Sequence, residues 1–318
     1  MRVLVTGVAG FIGSNTAQRL LDEGHEVVGL DTLVRGRRDN VPTGVTLIEA
    51  SSGDASAIRR LGRFDACIHF AAFIEVAESM AEPEAFFENN VASSLRLFDA
   101  LIATGTPKVV FSSSAAVYGD VMVSPIEETA STVPSSPYGE SKLMVERALH
   151  WMAERGRLRS ASLRYFNAAG AGPSHGEHHV PETHLIPLAL DAAMGRRGPL
   201  QVFGTDYPSH DGTCVRDYVH VLDLAQAHIL AIAALDEHSS LTVNLGTGTG
   251  SSIREVLDSV ERVTGLAVPF DVTGRRLGDP AQAVASNAYA RDVLGWEPRH
   301  AALDAIVFDA YQARLAHS

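Results

Sequence analysis

Tyr138 and Lys142 stand four positions apart in Ser136-Pro137-Tyr138-Gly139-Glu140-Ser141-Lys142. Lys142 is one of only two lysines in 318 residues, in a chain that otherwise takes its positive charge from 24 arginines. Chance would supply roughly 0.04 such pairs, so the match carries more information than most short motifs. Arginine cannot replace the compact ammonium that must sit beside a reacting phenol. On a helix, positions i and i+4 share a face, so the spacing predicts a tyrosine acid/base with a lysine partner. Ser112-Ser113-Ser114 follows an apolar run. A hydroxyl at that strand end, with Ser114 as the candidate, can bond a substrate hydroxyl and the Tyr138 oxygen together.

A glycine constellation supplies the other half of such chemistry. Gly7-Val8-Ala9-Gly10-Phe11-Ile12-Gly13 places glycines at i, i+3 and i+6 between a predicted strand and a predicted helix. Glycine permits the tight turn there, and the helix N-terminus offers unpaired N–H groups to a pyrophosphate. Asp31 ends the next strand, where a carboxylate accepts from both adenosine ribose hydroxyls. This predicts NAD, because a 2′-phosphate would meet the Asp31 charge; Arg35, Arg37 and Arg38 nearby leave NADP as the alternative. Asp54, with Ala55 after it, follows the third strand, where the adenine edge would lie. A positive nicotinamide ring and the Lys142 ammonium both favour the Tyr138 phenolate, moving a group with an ordinary pKa of about 10 toward a useful range.

The elements that must position these groups follow from alternating patterns. Apolar β-branched runs at Arg2–Thr6, Glu26–Asp31, 46–49, 66–70, 108–113 and 160–165 alternate with helical patterns at 11–23, 89–104 and 138–153. That alternation predicts βαβ units and an α/β fold with a Rossmann-type, doubly wound parallel sheet. The texture changes near Phe166, and residues 170–183 are rich in Gly, His and Pro. A Gly-rich turn at 246–250 reads as a connection from a strand to a helix opened by a Ser252/Glu255 capping box. The expected division is a dinucleotide-binding domain over 1–167, rejoined by about 212–246 and 287–310. A smaller, mostly C-terminal α/β substrate-binding domain is expected from 168–211 and 247–286.

A formal net charge of −12 argues against nucleic-acid or membrane-surface partners. The first strand begins at Arg2 and no apolar run is long enough to span a bilayer, so a cytoplasmic protein is expected. Cys67 and Cys214 show no CxxC spacing and read as buried thiols in a reducing compartment.

At this point the residues resemble the extended short-chain dehydrogenase/reductases, and more narrowly the UDP-glucose (UDP-galactose) 4-epimerases, over nearly the whole chain. The likeness is carried by Thr6-Gly7-Val8-Ala9-Gly10-Phe11-Ile12-Gly13, His69-Phe70-Ala71-Ala72, residues 112–119, the Tyr138/Lys142 segment, residues 163–167, 212–221 and 275–279. The resemblance implies that Phe70, Ala71, Ala72, Asn89 and Phe166 line the cofactor beside Gly7, Gly10, Phe11, Ile12 and Gly13. It implies that Asn167, His184, Leu185 and Phe203 meet a sugar nucleotide, that Arg216 and Arg276 grip its diphosphate, and that Asp279 meets the uridine ribose. It also implies a homodimer through paired helices that include 138–153.

Related 4,6-dehydratases carry an Asp-Glu pair just after the active-site hydroxyl residue, where this chain has Ala115 and Ala116; elimination therefore lacks its catalyst. Ile74 stands where many epimerases have lysine, and His184 where other members have asparagine. Ala283 stands at a gate position that is tyrosine in epimerases confined to unacetylated sugars, which leaves room for UDP-GlcNAc or UDP-GalNAc. His175, Glu177, His178 and His179 look like a metal cluster, but the implied chemistry needs no metal. The expected reaction is NAD-dependent inversion at C4 of UDP-glucose and UDP-galactose. The alternatives are a 4-epimerase of another UDP-sugar such as UDP-glucuronate, a sugar-nucleotide reductase, and a dinucleotide-sensing regulator without catalysis.

Overall fold

A computed structural model describes residues 1–120, 123–173, 176–177, 179, 181–276 and 279–316. His175 and His178 of the His-rich loop, and Leu277 and Gly278 of the late motif, lie outside the described residues. The central sheet contains β1 (Arg2–Thr6), β2 (Glu26–Asp31), β3 (Thr46–Glu49), β4 (Ala66–His69), β5 (Lys108–Ser114) and β6 (Arg159–Tyr165). Four short strands follow: β7 (Asn167–Ala169), β8 (Leu200–Phe203), β9 (Val215–Arg216) and β10 (Tyr218–His220). The chain then adds β11 (Ser240–Leu245) to the sheet and ends with β12 (Ser251–Ser252), β13 (Phe270–Thr273) and β14 (Gln282–Ala283).

The sheet order is β3-β2-β1-β4-β5-β6-β11, and every pairing in it is parallel. Because parallel strands are covered on both faces, they read as unbroken apolar runs. Val3 and Val5 face a core shared with Ala17, Leu20, Leu224 and Ala227, from the helices Phe11–Asp22 and Val221–Ala234. Leu4 and Cys67 face the opposite core with Leu97, Phe98, Val145 and Leu149, from the helices Ser93–Ala103 and Pro137–Glu154. Strand order reverses between β1 and β4, so the crevice beyond their C-terminal ends is where such a fold receives ligands.

Predicted strands match within a residue at each end. The helix expected over 89–104 differs: it opens at Pro83, widens to a π-helical turn over Phe87–Ala92 and continues as Ser93–Ala103. Two expected boundaries also shift. β9 pairs with β12 and β14, so residues near 215 join the small substrate-side sheet rather than the large one. The helix Ala288–Leu294 packs with the main sheet's core, but Ile306, Val307 and Ala310 of the helix Leu303–Ala316 share a separate core with Ile186, Leu190, Val256 and Val260. The segment 287–310 is therefore divided between the two cores. Cys67 and Cys214 are buried and unlinked.

One polar cluster is buried inside this frame. Arg164 on β6 donates Nη2 to Glu146 Oε2 at 2.6 Å and Nε to Oε1 at 2.9 Å, both side chains being under a tenth exposed. Arg164 Nη1 also reaches the Tyr118 hydroxyl at 3.0 Å, which donates to Asn244 at 2.7 Å, and Ser113 donates to Glu146. Removing one partner strands a buried charge, whereas removing both does not. Arg164→Met is expected to cost about 3–5 kcal/mol in urea unfolding, and the double variant with Glu146→Met less than that. A single-variant loss below that of the double would contradict the pairing.

Candidate active site

The cofactor cradle is built by backbone rather than side chains. Gly7 has φ +71° and its N–H reaches Leu30 O at 2.8 Å, while a Cβ there would lie 2.7 Å from the Ala71 nitrogen. At Gly13 a Cβ would lie 2.1 Å from Gly7 O, so only glycine lets the helix Phe11–Asp22 start against the turn. Its N-cap, Gly10, supplies no capping side chain, leaving first-turn N–H groups available to an anion. Asp31 is buried; Oδ2 accepts from Ala9 N at 3.0 Å and Oδ1 from Leu33 N at 2.9 Å. Those bonds fix its carboxylate at the cavity wall.

A cavity of about 410 Å³ runs from this cradle to the acid/base pair. Gly7, Gly10, Phe11, Ile12, Gly13, Asp31, Phe70, Ala71, Ala72, Asn89, Ser114, Tyr138, Lys142, Phe166, Asn167 and His184 all line it, and so does Ile74. Asp54 and Ala55 are placed differently. Asp54 caps the helix Ala55–Leu61 by accepting from Ala57 N at 2.9 Å, and the cavity wall beside it is Ala50, Ser51 and Ser52.

The tyrosine and lysine occupy the first turns of the helix Pro137–Glu154, which starts at a proline and is capped by Ser136 on Gly139 N at 3.2 Å. Lys142 is buried and donates Nζ to Ser112 O at 2.8 Å; the same Nζ lies 5.0 Å from the Phe111 ring centre and 5.9 Å from that of Tyr138. Burial pushes the Lys142 ammonium down to about 7, opposed by the Glu146 carboxylate one turn on. Burial raises Tyr138, a Ser114 hydrogen bond lowers it, and Glu75 raises it again. In the protein alone, desolvation thus outweighs the help expected from lysine. A positive nicotinamide ring bound beside the phenol would act in the opposite sense and favour the phenolate.

Asn90 steadies this helix from outside the expected set. It bonds both backbone groups of Phe73, at 2.8 and 2.9 Å, and donates to Ser141 Oγ at 3.1 Å. His69 bridges Thr6 at 2.6 Å and Ser94 at 2.7 Å, joining the ends of β1 and β4 beneath the cavity. Ala116 lines the cavity where a dehydratase would need an acid/base group.

On the substrate side, Asn167 pairs with Tyr218 across β7 and β10, and its N–H bonds Asp217 O at 2.9 Å. Arg216, one residue before Asp217, is not among the residues that line the cavity. Arg216 donates to the carbonyls of Val215 and Pro280 at 2.9 Å, lies 3.4 Å from Asp279, and pairs in register with Ala283. The Arg276 guanidinium stacks on the Phe203 ring at 4.2 Å, and Leu185 opens the helix Leu185–Ala193. The turn at 246–250 wraps the buried Asp217 carboxylate through Thr247 and Gly248, a structural use.

The acidic/His loop does converge among the described residues: Glu177 and His179, singled out in sequence, are joined by Glu182 and His184. One ligand atom each from Glu177, His179, Glu182 and His184 fits within 4.8 Å. Glu177 and His179 line the cavity beside His184. The signal that could have found Glu182 is its spacing of two residues from His184.

A glycine cradle, a ribose carboxylate and a Ser/Tyr/Lys constellation on one doubly wound sheet define an extended short-chain dehydrogenase/reductase. Residues 3–246 match the model of the NAD dependent epimerase/dehydratase family, and the chain belongs to that family. A UDP-glucose 4-epimerase of Azospirillum brasilense is 49% identical over 315 residues, covering 97% of this chain and 90% of that relative. The crystal structure of UDP-glucose 4-epimerase from Brucella ovis in complex with NAD is 44% identical with a TM-score of 0.95, covering 98% of both chains. That of UDP-glucose-4-epimerase from Stenotrophomonas maltophila, with bound NAD and formylated UDP-arabinopyranose, is 41% identical with a TM-score of 0.96, covering 100% of this chain and 98% of that one.

The Asp31 geometry gives a direct test of the cradle. Charge-assisted hydrogen bonds of this kind contribute about 1.5–3 kcal/mol, so Asp31→Ala should weaken NAD binding by about 10- to 100-fold in calorimetry while narrowing the preference over NADP. Unchanged NAD affinity would remove the ribose assignment.

Proposed function

We propose that the protein is an isomerase that interconverts UDP-glucose and UDP-galactose by inverting C4, with NAD as its cofactor. The observation that carries this reading is the placement of Ser114, Tyr138 and Lys142 in one cavity with the glycine cradle. NAD, when bound, takes the C4 hydrogen with its electron pair and later returns it, so no net oxidation occurs.

The protein's own groups handle the proton and the orientation. Ser114 holds the C4 hydroxyl against Tyr138, whose phenolate takes the hydroxyl proton as the C4 carbonyl forms. Lys142 stabilises that phenolate and, through Ser112 O, is fixed to the sheet. Arg216 and Arg276 keep the diphosphate anchored while the 4-keto-sugar turns over its other face, and Tyr138 then gives the proton back. Asp279 and Asn167 serve the nucleotide, and Phe70, Asn89 and Phe166 the cofactor.

Ala283 stands beside Arg216 with a minimal side chain, which supports acceptance of N-acetylated UDP-sugars. A homodimer is the assembly this reading expects. Leu95, Met144 and Trp151 are exposed large side chains on the helices Ser93–Ala103 and Pro137–Glu154, which supports pairing through them. No helix among the described residues is long and apolar enough to cross a membrane.

Two measurements test the reading. NAD-loaded protein should convert UDP-galactose to UDP-glucose without accumulating NADH, and Tyr138→Phe should lower kcat by about 10²–10⁴-fold with UDP affinity retained; full activity in that variant would discredit Tyr138. Ala283→Tyr should cut turnover of UDP-GalNAc about tenfold or more (at least about 1.4 kcal/mol) while sparing UDP-galactose, and equal effects on both would remove the gate.

A further inference from the structure

Glu177, Glu182 and His184 form an arrangement that the acid/base chemistry leaves unused. His184 Nδ1 lies 2.8 Å from Glu177 Oε1 and 2.9 Å from Glu182 Oε1. Glu182 Oε1 also accepts the backbone N–H groups of Thr183 and His184, each at 2.9 Å. Glu177 is buried, and His179 Nδ1 meets its same oxygen at 3.0 Å. Glu182 is then tied to Arg314 of the C-terminal helix at 3.3 Å, and Arg314 to Asp191 at 3.1 Å. Thr183 donates to Glu75 at 3.0 Å, which connects the loop to the cofactor side of the cavity.

These contacts occupy the inner edge of the imidazole. Among the described residues Nε2 of His184 has no hydrogen-bond partner, and the ring is one-third exposed on the cavity wall. His184 is also the N-cap of the helix Leu185–Ala193, so first-turn N–H groups open beside it. Two carboxylates on one Nδ1 need that nitrogen to carry a proton. A second proton on Nε2 then makes the ring a cation facing the cavity.

We propose that Glu177 and Glu182 are positioning residues, a carboxylate clamp that keeps His184 as an imidazolium whose Nε2–H grips the diphosphate of the bound nucleotide. The clamp rests on the UDP-sugar reading and adds a third cation to Arg216 and Arg276. It also makes the C-terminal helix, through Arg314, part of the substrate anchor. Burial by itself would lower His184, but the hydrogen bonds and charges of Glu177 and Glu182 push it up to about 10, while those of His179 and His184 hold Glu177 below the usual carboxylate range against its burial. A group raised in this way stays charged below its shifted pKa, so the clamp persists through neutral and mildly alkaline pH. The charged or titratable groups around it are Glu177, His179, Glu182 and, one contact away, Arg314 and Glu75.

The four side chains could also be read as cation ligands, but each Nδ1 is already engaged by a carboxylate. Chelation therefore enters the test. Calorimetry on NAD-loaded protein should compare UDP with uridine, which lacks the phosphates. His184→Asn is expected to weaken UDP about tenfold (about 1.4 kcal/mol) and leave uridine within about twofold. Glu177→Gln should reproduce most of the UDP loss without touching the ligand. In ¹⁵N spectra at pH 8.5, His184 should be doubly protonated in the wild type and neutral in the Glu177→Gln/Glu182→Gln double variant. Equal losses for UDP and uridine, or a neutral wild-type His184, would overturn the clamp by reducing it to loop packing. EDTA should change neither affinity; a chelator-dependent loss would reassign the four groups to a metal. If the wild type binds UDP but does not turn over UDP-galactose, the epimerase reading fails while the UDP/uridine comparison still decides the clamp.

Discussion

A buried ammonium cannot be placed anywhere in a protein without a partner, and that constraint organises the centre of this molecule. Lys142 finds its acceptor in the Ser112 carbonyl, a group available because Ser112 lies near the C-terminal end of β5. The helix Pro137–Glu154 must therefore cross the sheet at the end of β5, and Tyr138, one turn earlier, is brought over the crevice with it. Ser136 and Pro137 start the helix at the right residue. The Asn90 bonds to Phe73 and Ser141 resist its displacement. Behind Lys142, Glu146 supplies a compensating negative charge, and Arg164 keeps that charge from being stranded in turn. The Tyr138/Lys142 pair thus rests on a chain of buried charges and hydrogen bonds that ends at Tyr118, Asn244 and Glu128.

Features set by local physics were legible in the sequence. The β1 turn and the Gly13 approach need glycine for steric reasons, and Ser252 with Glu255 forms the capping box its spacing implies. The apolar runs located six parallel strands because burial on both faces leaves no alternation to confuse. Illegible features depend on which element lies opposite. Nothing in the residues 303–316 says that Ile306 and Val307 face Leu190 and Val260 rather than the main sheet, because both cores accept the same aliphatic side chains. The π-helical turn at Phe87–Ala92 has the same local pattern as an ordinary helix. Glu146 carries no signal of burial in its own helix; its partner Arg164 lies 18 residues on and meets it only in the fold.

The candidate site divides along the same line. Gly7, Asp31, Tyr138 and Lys142 are spaced within single supersecondary units, so their chemistry is written in short motifs. The substrate side is assembled from β7, β9 and β14 together with a loop ahead of the helix Leu185–Ala193. Its residues span more than a hundred positions, and only family likeness grouped them beforehand. Glu177 was noticed only as part of a His-rich stretch resembling a metal cluster, and Glu182 was passed over because an acidic, His-rich stretch has many solvated interpretations. What distinguishes them is convergence on one imidazole nitrogen, a relation that composition does not record.

A protein with a net charge of −12 that binds a diphosphate must make its attraction local. Carboxylates accompany the basic groups on this side: Asp279 stands beside Arg216, as Glu177 and Glu182 stand beside His184. The two ends of the site therefore use their surroundings in opposite senses. Around Tyr138 and Lys142, desolvation outweighs nearby charge, and the lysine is drawn down to about 7. Around His184, paired carboxylates outweigh desolvation and keep the proton on. A reaction that moves a proton at C4 while the nucleotide stays fixed requires both conditions within one cavity: groups poised to change charge at the sugar, and groups prevented from doing so at the anchor.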